Sequence, residues 1–519
     1  MENYTLSSRQ IPLCGEYDVI VVGGGPAGCA AAISASRAGK KVLLIEDSGM
    51  LGGAGTRGLV SAWTPFSDGV RALYAGIAHE VFRRTLAATP YLDPKSIDWV
   101  PIDPEALKTT YDEMTSEAGV TVLFHTRLAA AETEDGRVKA LICANKTGLC
   151  AFTAPMYVDC TGDADLCAYA GVPFQEGDEN GETQPATHCF ILANVNEEAY
   201  HAMPSIRPQN PESILYRILR EGKYAIPDEH FCHSFYAPGV MGFNAGHLWH
   251  VKATDPASVS KADADGRRLA HEYLAALKDY MPETFGQAVL VETAPMVGIR
   301  ESRRIRGEYS FTLADYLARR SFPDEICRGN YFVDVHYSAE ENNRREGKSP
   351  SNGSDLRYEH YGKGESYGIP YRCLIPVGLK NVLDAGRSLS CERAALGSLR
   401  VMPACLCMGQ AAGLAAAMAC ELGDVRLVDT DKAARLPAGS RGVSAIRDAT
   451  PPSWYRGTNS SKRSRQNWRF LTEIKFRRML PHSGSVYEAC SESLETAKRL
   501  TVQTNERTAM AAAGKTVRS

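Results

Sequence analysis

The amino-acid sequence predicts an α/β protein with an inserted α+β domain and a poorly ordered, basic C-terminal tail. Three observations lead to this prediction. An apolar run, a glycine-rich turn, an alanine-rich stretch and a second apolar run follow one another over residues 18–46. A similar run and turn recur from residue 381, and the composition becomes basic after residue 432. We therefore divide the chain into two parts of a first domain at 14–185 and 361–432, an insertion at 186–360 and a tail at 433–519.

The overall composition is that of an ordinary globular chain. It has 519 residues, of which 44% are hydrophobic and 23% charged, and a formal net charge of -3, which predicts no general affinity for nucleic acid or membranes. The N-terminal stretch lacks the basic start and apolar run of a signal peptide. The 15 cysteines contain no CxxC pair, so we expect reduced thiols and a cytoplasmic location.

The first motif, at residues 18–46, is typical of a dinucleotide-binding turn. Its glycines lie between an apolar strand and an alanine-rich helix, which is the context this pattern requires. Gly23 permits the tight turn, Gly25 lets the backbone approach a pyrophosphate, and Gly28 lets helix and strand pack closely. The helix N-terminus offers unpaired N–H groups to the phosphates. Glu46 follows at the position where a carboxylate accepts hydrogen bonds from ribose hydroxyls. The motif alone does not separate FAD from NAD.

Two later segments complete the predicted domain. Residues 104–160 contain a helical stretch and then alternating apolar residues, typical of a small antiparallel meander that ends at Gly162 and Asp163. Residues 381–419 begin with a strand-like run and continue as a stretch of small and apolar residues. That stretch contains Gln410 and many alanines, so we interpret it as a core helix and not as a membrane span.

Together these motifs resemble those of the FAD-dependent oxidoreductases with the glutathione-reductase-type fold, in the branch nearest the fumarate reductase and succinate dehydrogenase flavoproteins. The matching stretches run in order from residue 18 to about residue 430, and they are VVGGGPAGCAAA, LGGAGTRGLV, VDCTGDADLCAYAG, VGIRESRRIRGEY, YGIPYRCLIP and LDAGRSLSCERAALGSLRVMPACLCMGQAAG. The resemblance implies a Rossmann-like FAD-binding domain, an inserted substrate (cap) domain and noncovalent FAD.

The resemblance also implies which residues hold the cofactor. The backbone at Leu128 would contact the adenine, and the loop at residues 51–60 would lie against the flavin with Arg57 nearby. Residues 397–402 would begin a helix whose N–H groups point at the pyrimidine edge of the flavin. The implied cofactor-binding residues are Gly23, Gly25, Gly28, Glu46, Gly52, Gly53, Arg57, Leu128, Gly162, Asp163, Gly386, Arg387, Gly397, Arg400 and Val401.

Two departures from related enzymes limit the expected chemistry. The loop at residues 51–60 has no cysteine pair, which argues against thiol–disulfide exchange. The chain also has one complete dinucleotide fingerprint, so we expect electrons to pass to or from a separate donor or acceptor. The sequence leaves the oligomeric state open.

The insertion carries most of the candidate catalytic residues. A buried guanidinium beside a flavin orients a carboxylate or polarises a carbonyl, and a nearby histidine accepts a hydroxyl proton while a hydride moves to flavin N5. A histidine satisfied within the core is the alternative. Two HxxH pairs also occur, at residues 230–233 and 247–250, but we expect no metal. The candidate catalytic residues are Arg300, Arg304, His336, Arg372 and His250.

Three functional hypotheses follow. The first is an FAD-dependent oxidoreductase acting on a small alcohol-like, sugar-like or carboxylated substrate. The second uses the tail, which has 16 basic and 6 acidic residues from residue 433 onward, and makes the protein an FAD-containing nucleic-acid-binding or nucleic-acid-modifying enzyme. The third is an inactive flavoprotein fold that serves as an interaction subunit. The first is the leading hypothesis, because the ordered motifs support it and a flexible tail without a selected function explains the basic segment.

Overall fold

The computed structural model describes residues 4, 7–337 and 361–431. The predicted tail at 433–519 and the end of the predicted insertion, 338–360, lie outside the described residues. All described residues belong to one unit, Met1–Pro451.

The described residues form seventeen strands and eleven helices. The strands are β1 Leu13–Glu16, β2 Val19–Val22, β3 Val42–Ile45, β4 Thr121–Leu123, β5 Arg127–Glu134, β6 Arg137–Asn145, β7 Gly148–Thr153, β8 Met156–Asp159, β9 Phe174–Glu176, β10 Phe190–Ala193, β11 Phe231–Ala237, β12 Val240–Ala245, β13 Val289–Thr293, β14 Arg303–Ile305, β15 Glu325–Gly329, β16 Tyr367–Pro370 and β17 Val382–Asp384. The helices are α1 Pro26–Arg37, α2 Ile77–Ala88, α3 Pro104–Ala118, α4 Asp165–Tyr169, α5 Glu197–Ala202, α6 Ile214–Glu221, α7 Pro256–Tyr280, α8 Pro282–Phe285, α9 Leu313–Leu317, α10 Arg393–Leu399 and α11 Met402–Leu422.

The central element is a parallel five-stranded sheet in the order β17-β8-β2-β3-β4. Strands β2, β3 and β8 are wholly buried because both faces of the sheet are covered. Val21 and Leu44 belong to the core that includes α1 and α11. Ile20 and Leu43 belong to the core on the other face, which includes β5, β6 and β7. These three strands pair antiparallel, so the predicted meander is confirmed.

Helices α1 and α11 pack closely along one face of the sheet. A Cβ added to Gly409 would lie 2.0 Å from the carbonyl oxygen of Ala27, and one added to Gly413 would lie 2.0 Å from that of Ala31. Among the described residues, one helix, Met402–Leu422, is long and apolar enough to cross a membrane, but 78% of its apolar window is buried within the protein. The packing against α1 explains its small, apolar residues without a bilayer.

A second sheet, in the order β11-β12-β10-β13, lies in the predicted insertion. Its core contains aromatic residues of β10 and β12 and Tyr273 of α7. The two regions are joined by further strand pairs, since β14 pairs with β9 and β15 pairs with β16. Strands β14 and β15 fall inside 186–360 whereas their partners fall outside it. The domain boundaries drawn from the sequence stay a prediction.

Two buried carboxyl groups face each other at the carboxyl edge of the parallel sheet. Asp384 of β17 is the register partner of Asp159 of β8, and both are fully buried. Asp159 accepts hydrogen bonds from the backbone N–H groups of Thr161 (3.1 Å) and Cys167 (2.9 Å). Asp384 accepts one bond, from Ser388 Oγ at 2.9 Å. Burial and the neighbouring Asp159 raise the pKa of Asp384 well above its usual range, which favours the protonated form of this carboxyl group.

Asp384→Asn is therefore expected to stabilise the protein near neutral pH. Folded wild type holds a proton that the unfolded chain releases above about pH 4, so its stability falls as the pH rises from there towards the folded-state pKa. The amide keeps the neutral shape without this penalty. We expect the free energy of unfolding at pH 7 to rise by about 1–3 kcal/mol, with a smaller difference at pH 4.

Urea denaturation of both proteins between pH 4 and pH 7 measures the effect. Glu132→Gln, at an exposed position of β5, is the matched control. Equal stability of Asp384→Asn and wild type at pH 7 would show that Asp384 is ionised in the folded protein.

Candidate functional site

Two helix N-termini without side-chain caps define the candidate site. Helix α1 begins after Gly25 and helix α11 after Val401, and neither N-cap residue supplies a side-chain hydrogen bond. The N–H groups of the first helical turn have no partner within their own helix. Each N-terminus therefore offers N–H donors and a positive dipole end to an anionic group.

The loop at residues 51–60 touches both of these N-termini. Gly52 and Gly53 have φ values of 103° and 52°, which favour glycine. A Cβ on Gly53 would lie 3.0 Å from Gly25 Cα, and one on Gly55 would lie 3.2 Å from Met402 Sδ. The loop thus connects the N-terminus of α1 to that of α11.

The three glycines of the first motif play different parts. Gly23 needs its φ of 96°, and a Cβ there would lie 2.4 Å from the carbonyl oxygen of Cys160. A Cβ on Gly28 would lie 1.7 Å from the carbonyl oxygen of Gly23. A Cβ on Gly25 would meet nothing within 4 Å, and the φ of Gly25 is an ordinary -70°. The fold itself demands Gly23 and Gly28, whereas Gly25 leaves open space that a pyrophosphate fits.

Glu46 supports the glycine turn from the end of β3. Its Oε2 accepts a hydrogen bond from Gly24 N at 2.7 Å, and its Oε1 accepts one from Ser48 Oγ at 2.6 Å. Burial raises the pKa of the carboxyl group. Arg57 lies 2.5 Å from Asp47 and 3.6 Å from Glu46. Its side chain thus lies beside Glu46, at the predicted ribose end of the site, and its place near the flavin stays a prediction.

The loops that follow β8 and β17 close the other side of the site. Arg387 Nη2 donates to Asp163 Oδ1 at 2.7 Å, and a Cβ on Gly162 would lie 3.2 Å from Arg387 Nε. Gly386 has a φ of 121°, and a Cβ there would lie 3.5 Å from Ala27 Cβ, beside the start of α1. Leu128 is buried on β5, and its contact with an adenine stays a prediction.

The helix predicted to start within residues 397–402 begins at Met402, the last residue of that stretch. Gly397 lies inside α10, and a separate helix, α11, begins at Met402. Pro403 has no N–H group, so the first helix cannot continue its hydrogen-bond pattern through this point. A Cβ on Gly397 would lie 2.9 Å from the backbone nitrogen of Asp334, and Arg400 Nη2 donates to the carbonyl oxygen of Asp334 at 2.8 Å. The junction of the two helices therefore holds the segment that carries Asp334.

A chain of three buried groups and one partly exposed carboxylate lies next to this junction. His247 Nδ1 is 2.8 Å from Asp228 Oδ2, and His247 Nε2 is 2.7 Å from His336 Nδ1. His336 Nε2 is 3.3 Å from Asp334 Oδ1. Burial, together with the charge of Arg300, lowers the pKa of His247 and of His336 well below the usual range, so both imidazoles are neutral at pH 7. We call this series of groups the histidine chain.

Arg300 lies beside the histidine chain and is 8% exposed. Its Nη1 donates to Pro185 O at 2.7 Å and to Thr187 Oγ1 at 2.8 Å, and its Nη2 donates to His230 Nε2 at 3.0 Å. Among the described residues no carboxylate forms an ion pair with Arg300. Burial and the charge of Arg400 lower its pKa to about 10. A buried cation whose protein partners are all neutral favours an anionic or electronegative ligand.

The three histidines also have the spacing of a possible metal site. One nitrogen from each of His230, His247 and His336 lies within 4.8 Å of the others. Two nitrogens bound tetrahedrally to one zinc ion at about 2.0–2.1 Å would lie about 3.3 Å apart, but His247 and His336 approach to 2.7 Å. The Arg300 guanidinium also opposes a cation here. These distances favour a hydrogen bond, and the absence of a metal stays a prediction.

The structure brings two of the five candidate catalytic residues together. Arg300 donates to His230, and His230 stacks on His247 with ring centroids 4.4 Å apart. His247 in turn contacts His336, so Arg300 and His336 border the same cluster. Arg304 instead forms a buried ion pair with Glu301.

The remaining two candidates lie away from this cluster on exposed positions. The Arg372 side chain is 45% exposed and pairs with Asp324. The His250 side chain is 55% exposed and pairs with Glu182. Their catalytic roles stay predictions without a contact to the histidine chain.

Sequence reasoning did not select Asp228, His230, His247 or Asp334. A signal for two of these positions was present, since an aspartate stands two residues before His230 and again two residues before His336. This repeated Asp-x-His pattern supplies both carboxylates of the histidine chain.

The sequence matches the family model described as FAD dependent oxidoreductase over residues 18–436. The chain belongs to this family. The predicted α/β fold and the FAD cofactor are thereby confirmed, and the uncapped helix N-termini and the open space at Gly25 fit that cofactor. Comparison with curated proteins gave no match.

Several solved flavoenzyme structures are distantly similar to this FAD dependent oxidoreductase. A geranylgeranyl bacteriochlorophyll reductase-like protein (Ta0516) from Thermoplasma acidophilum is 14% identical, with 81% of this chain and 82% of that chain covered and a TM-score of 0.42. The flavin-dependent brominase Bmp2 is 11% identical, with 79% and 81% covered and a TM-score of 0.42. The p-nitrophenol 4-monooxygenase PnpA from Pseudomonas putida DLL-E4 is 12% identical, with 57% and 70% covered and a TM-score of 0.36.

Gly25→Val is expected to abolish FAD retention while the protein stays folded. The valine side chain would occupy the space expected for the pyrophosphate, and it would meet no protein atom within 4 Å of its Cβ. The visible absorption of the purified protein gives the FAD-to-protein ratio, and circular dichroism reports the fold. A folded variant with one bound FAD per chain would contradict this placement of the pyrophosphate.

Proposed function

We propose that this FAD dependent oxidoreductase moves a hydride between a small organic substrate and flavin N5. The observation that carries the proposal is the meeting of Arg300, a buried guanidinium with no carboxylate partner among the described residues, with the neutral imidazoles of the histidine chain. Bound FAD supplies the acceptor or donor of the hydride. The residues around it have to bind the substrate, orient it and hold its proton.

The position of the histidine chain supports a role beside the flavin. Its Asp334 end contacts Arg400, which directly precedes the uncapped N-terminus of α11. That N-terminus lies against Gly55 of the loop that reaches Gly25. The glycine-rich turn, the loop and the histidine chain therefore follow one another across the candidate site, in the order expected for pyrophosphate, flavin and substrate.

Arg300 is the residue that we assign to substrate binding. Its hydrogen bonds to Pro185, Thr187 and His230 hold the guanidinium in place, and none of these partners is charged. A carboxylate or a polarised carbonyl of the substrate would supply a direct electronegative partner. This supports a carboxylated substrate or one with an alcohol that becomes a carbonyl.

His336 is the residue that we assign to proton transfer. Burial and the charge of Arg300 keep its pKa low, so the imidazole is neutral and able to accept a proton at pH 7. Its ring is fixed by His247 on one side, and its backbone N–H donates to Gln184 Oε1 at 3.1 Å. A fixed neutral imidazole is suited to take the hydroxyl proton of a substrate as the hydride leaves.

Further parts of the proposal concern partners and location. We propose noncovalent FAD, a small-molecule substrate and a separate electron donor or acceptor. We also propose a cytoplasmic location, which is supported by the absence of disulfides among the described cysteines. We propose no membrane or nucleic-acid partner. Release of the flavin into the supernatant on acid precipitation would support noncovalent binding.

Arg300→Ala is expected to slow substrate-dependent flavin reduction by about 10-fold to 100-fold, because charge-assisted hydrogen bonds contribute about 1.5–3 kcal/mol. The measurement is anaerobic bleaching of the flavin with a panel of hydroxy acids, polyols and sugars. Arg217→Ala is the matched control, because that arginine is exposed and paired with Glu221. Arg300→Lys separates charge from geometry. Unchanged kinetics in Arg300→Ala, with FAD still bound, would remove Arg300 from the substrate site.

A further inference from the structure

The histidine chain has three links that each need a proton, but its two neutral imidazoles carry only two protons. Three links join Asp228, His247, His336 and Asp334 in series. Each link needs one proton between its two heavy atoms. Two neutral imidazoles bring two protons, and ionised carboxylates bring none. One link is therefore without a proton whenever both histidines are neutral and both aspartates are ionised. Burial raises the pKa of Asp228, whereas the backbone N–H of His230 and the charge of Arg300 favour its ionised form.

The distances identify that link. The contacts between Asp228 and His247 and between His247 and His336 measure 2.8 and 2.7 Å, whereas His336 Nε2 and Asp334 Oδ1 are 3.3 Å apart. An Nδ1–H on His247 satisfies the first link, and an Nδ1–H on His336 satisfies the second. The lone pair of His336 Nε2 then faces the Asp334 carboxylate. Two acceptors repel each other, which agrees with the longer distance.

In the absence of substrate, the surrounding charges oppose an added proton between His336 Nε2 and Asp334 Oδ1. Arg300 and Arg400 balance the charges of Asp228 and Asp334, so an added proton would leave the buried cluster with a net positive charge. Arg400 Nη2 lies 3.4 Å from Asp334 Oδ2, which favours the ionised form of that carboxyl group.

The other described groups that contact the histidine chain carry no balancing charge. Tyr331 OH donates to Asp334 Oδ2 at 3.4 Å, and Cys232 lies close enough for its thiol to interact with Asp334 electrostatically. His230 stacks on His247 and accepts from Arg300. Trp249 packs against the edge of the His247 ring. The link between His336 Nε2 and Asp334 Oδ1 that lacks a proton therefore lies among described groups whose charges are already balanced before a substrate binds.

The chain is also accessible at one end only. The Asp334 side chain is 16% exposed, but those of His336 and His247 are 4% and 1% exposed. The exposed end is the one that lacks the proton and the one that lies beside Arg400. A proton from the substrate would therefore enter at the vacant link and not at the Asp228 end.

We propose that the gap between His336 Nε2 and Asp334 Oδ1 receives one proton per turnover, and that Asp228 is the positioning residue that keeps this gap open. The proposal rests on the proposed oxidation of an alcohol. In that reaction the substrate C–H bond breaks and its electron pair passes with the hydrogen to FAD. The O–H bond breaks, its proton bonds to His336 Nε2, and the substrate becomes a carbonyl. Reduction of a carbonyl returns the same proton.

Asp228 determines which ring nitrogen carries the proton in each histidine of the chain. Its Oδ1 accepts the backbone N–H of His230 at 2.8 Å, and its Oδ2 accepts from His247 Nδ1. In Asp228→Asn the amide oxygen has to take the Oδ1 position, because that atom accepts a backbone N–H. The amide nitrogen then lies at the Oδ2 position and donates to His247 Nδ1.

This substitution exchanges the hydrogen-bond donor and acceptor at the first two links of the histidine chain and supplies a proton to the third. His247 becomes the Nε2–H tautomer and donates to His336 Nδ1, and His336 becomes the Nε2–H tautomer and donates to Asp334. All three links then have a proton without any substrate. The variant therefore loses the vacant acceptor while its shape stays the same.

The experiment is nitrogen-15 NMR of the histidine rings in the FAD-bound protein at pH 7, without substrate. We expect His336 to be the Nδ1–H tautomer in wild type and the Nε2–H tautomer in Asp228→Asn, with His336→Gln used to assign its signals. Asp279→Asn, which changes an exposed aspartate paired with Lys223, is the control and should match wild type. The same tautomer in both proteins, or a doubly protonated His336 in wild type, would overturn the proposal.

Two further measurements distinguish a failure of this proposal from a failure of the proposed function on which it rests. Flavin reduction by any substrate that bleaches the wild type should be at least about 100-fold slower in Asp228→Asn, the usual contribution of a positioned base. A tautomer switch with an unchanged rate would overturn the proton-accepting role. Failure of every substrate would contradict the proposed function, whereas the NMR result would still decide the arrangement of the chain. A stoichiometric bound metal in the wild type would overturn the hydrogen-bonded chain. If Asp228→Asn does not fold, the wild-type tautomer alone decides.

Discussion

The close contact between α1 and α11 is the constraint on which the rest of the site depends. Gly409 and Gly413 let α11 approach the carbonyl oxygens of Ala27 and Ala31, where any side chain would clash. This contact brings two uncapped helix N-termini to the same edge of the sheet. Their unpaired N–H groups need partners, and FAD carries anionic and electronegative groups suited to both. The cofactor site thus follows from a packing requirement in a core that is otherwise apolar.

Buried polar groups are concentrated around that edge, and they are balanced in different ways. Burial and the neighbouring Asp159, which accepts backbone N–H groups, raise the pKa of Asp384 and favour its protonated form. Arg304 is neutralised by Glu301. Arg300 has only neutral partners among the described residues. This difference separates structural charges from one that is available for a substrate, although Arg300 and Arg304 stand only four positions apart in the same basic stretch.

The histidine chain connects regions that are far apart in the sequence. Asp228 precedes β11, His247 follows β12, and His336 follows β15. The chain ends at Asp334, which is held by Arg400 at the junction of α10 and α11. Elements assigned to the substrate and to the cofactor therefore share one series of linked groups. A change of protonation at one end of this series alters the hydrogen bonds of the groups along it.

The sequence by itself determined the parallel sheet, the glycine turn, the meander and the FAD-dependent family, because these depend on local patterns that a strand–turn–helix motif displays directly. It also singled out Arg300 and His336. It did not separate them from Arg304, Arg372 and His250, because residue type does not reveal which charges are paired. Only the tertiary structure decided that, since ion pairing and burial arise when distant segments meet. The break at Arg400–Val401 and the joining of Asp228, His247, His336 and Asp334 depend on the same long-range contacts, which no local spacing encodes.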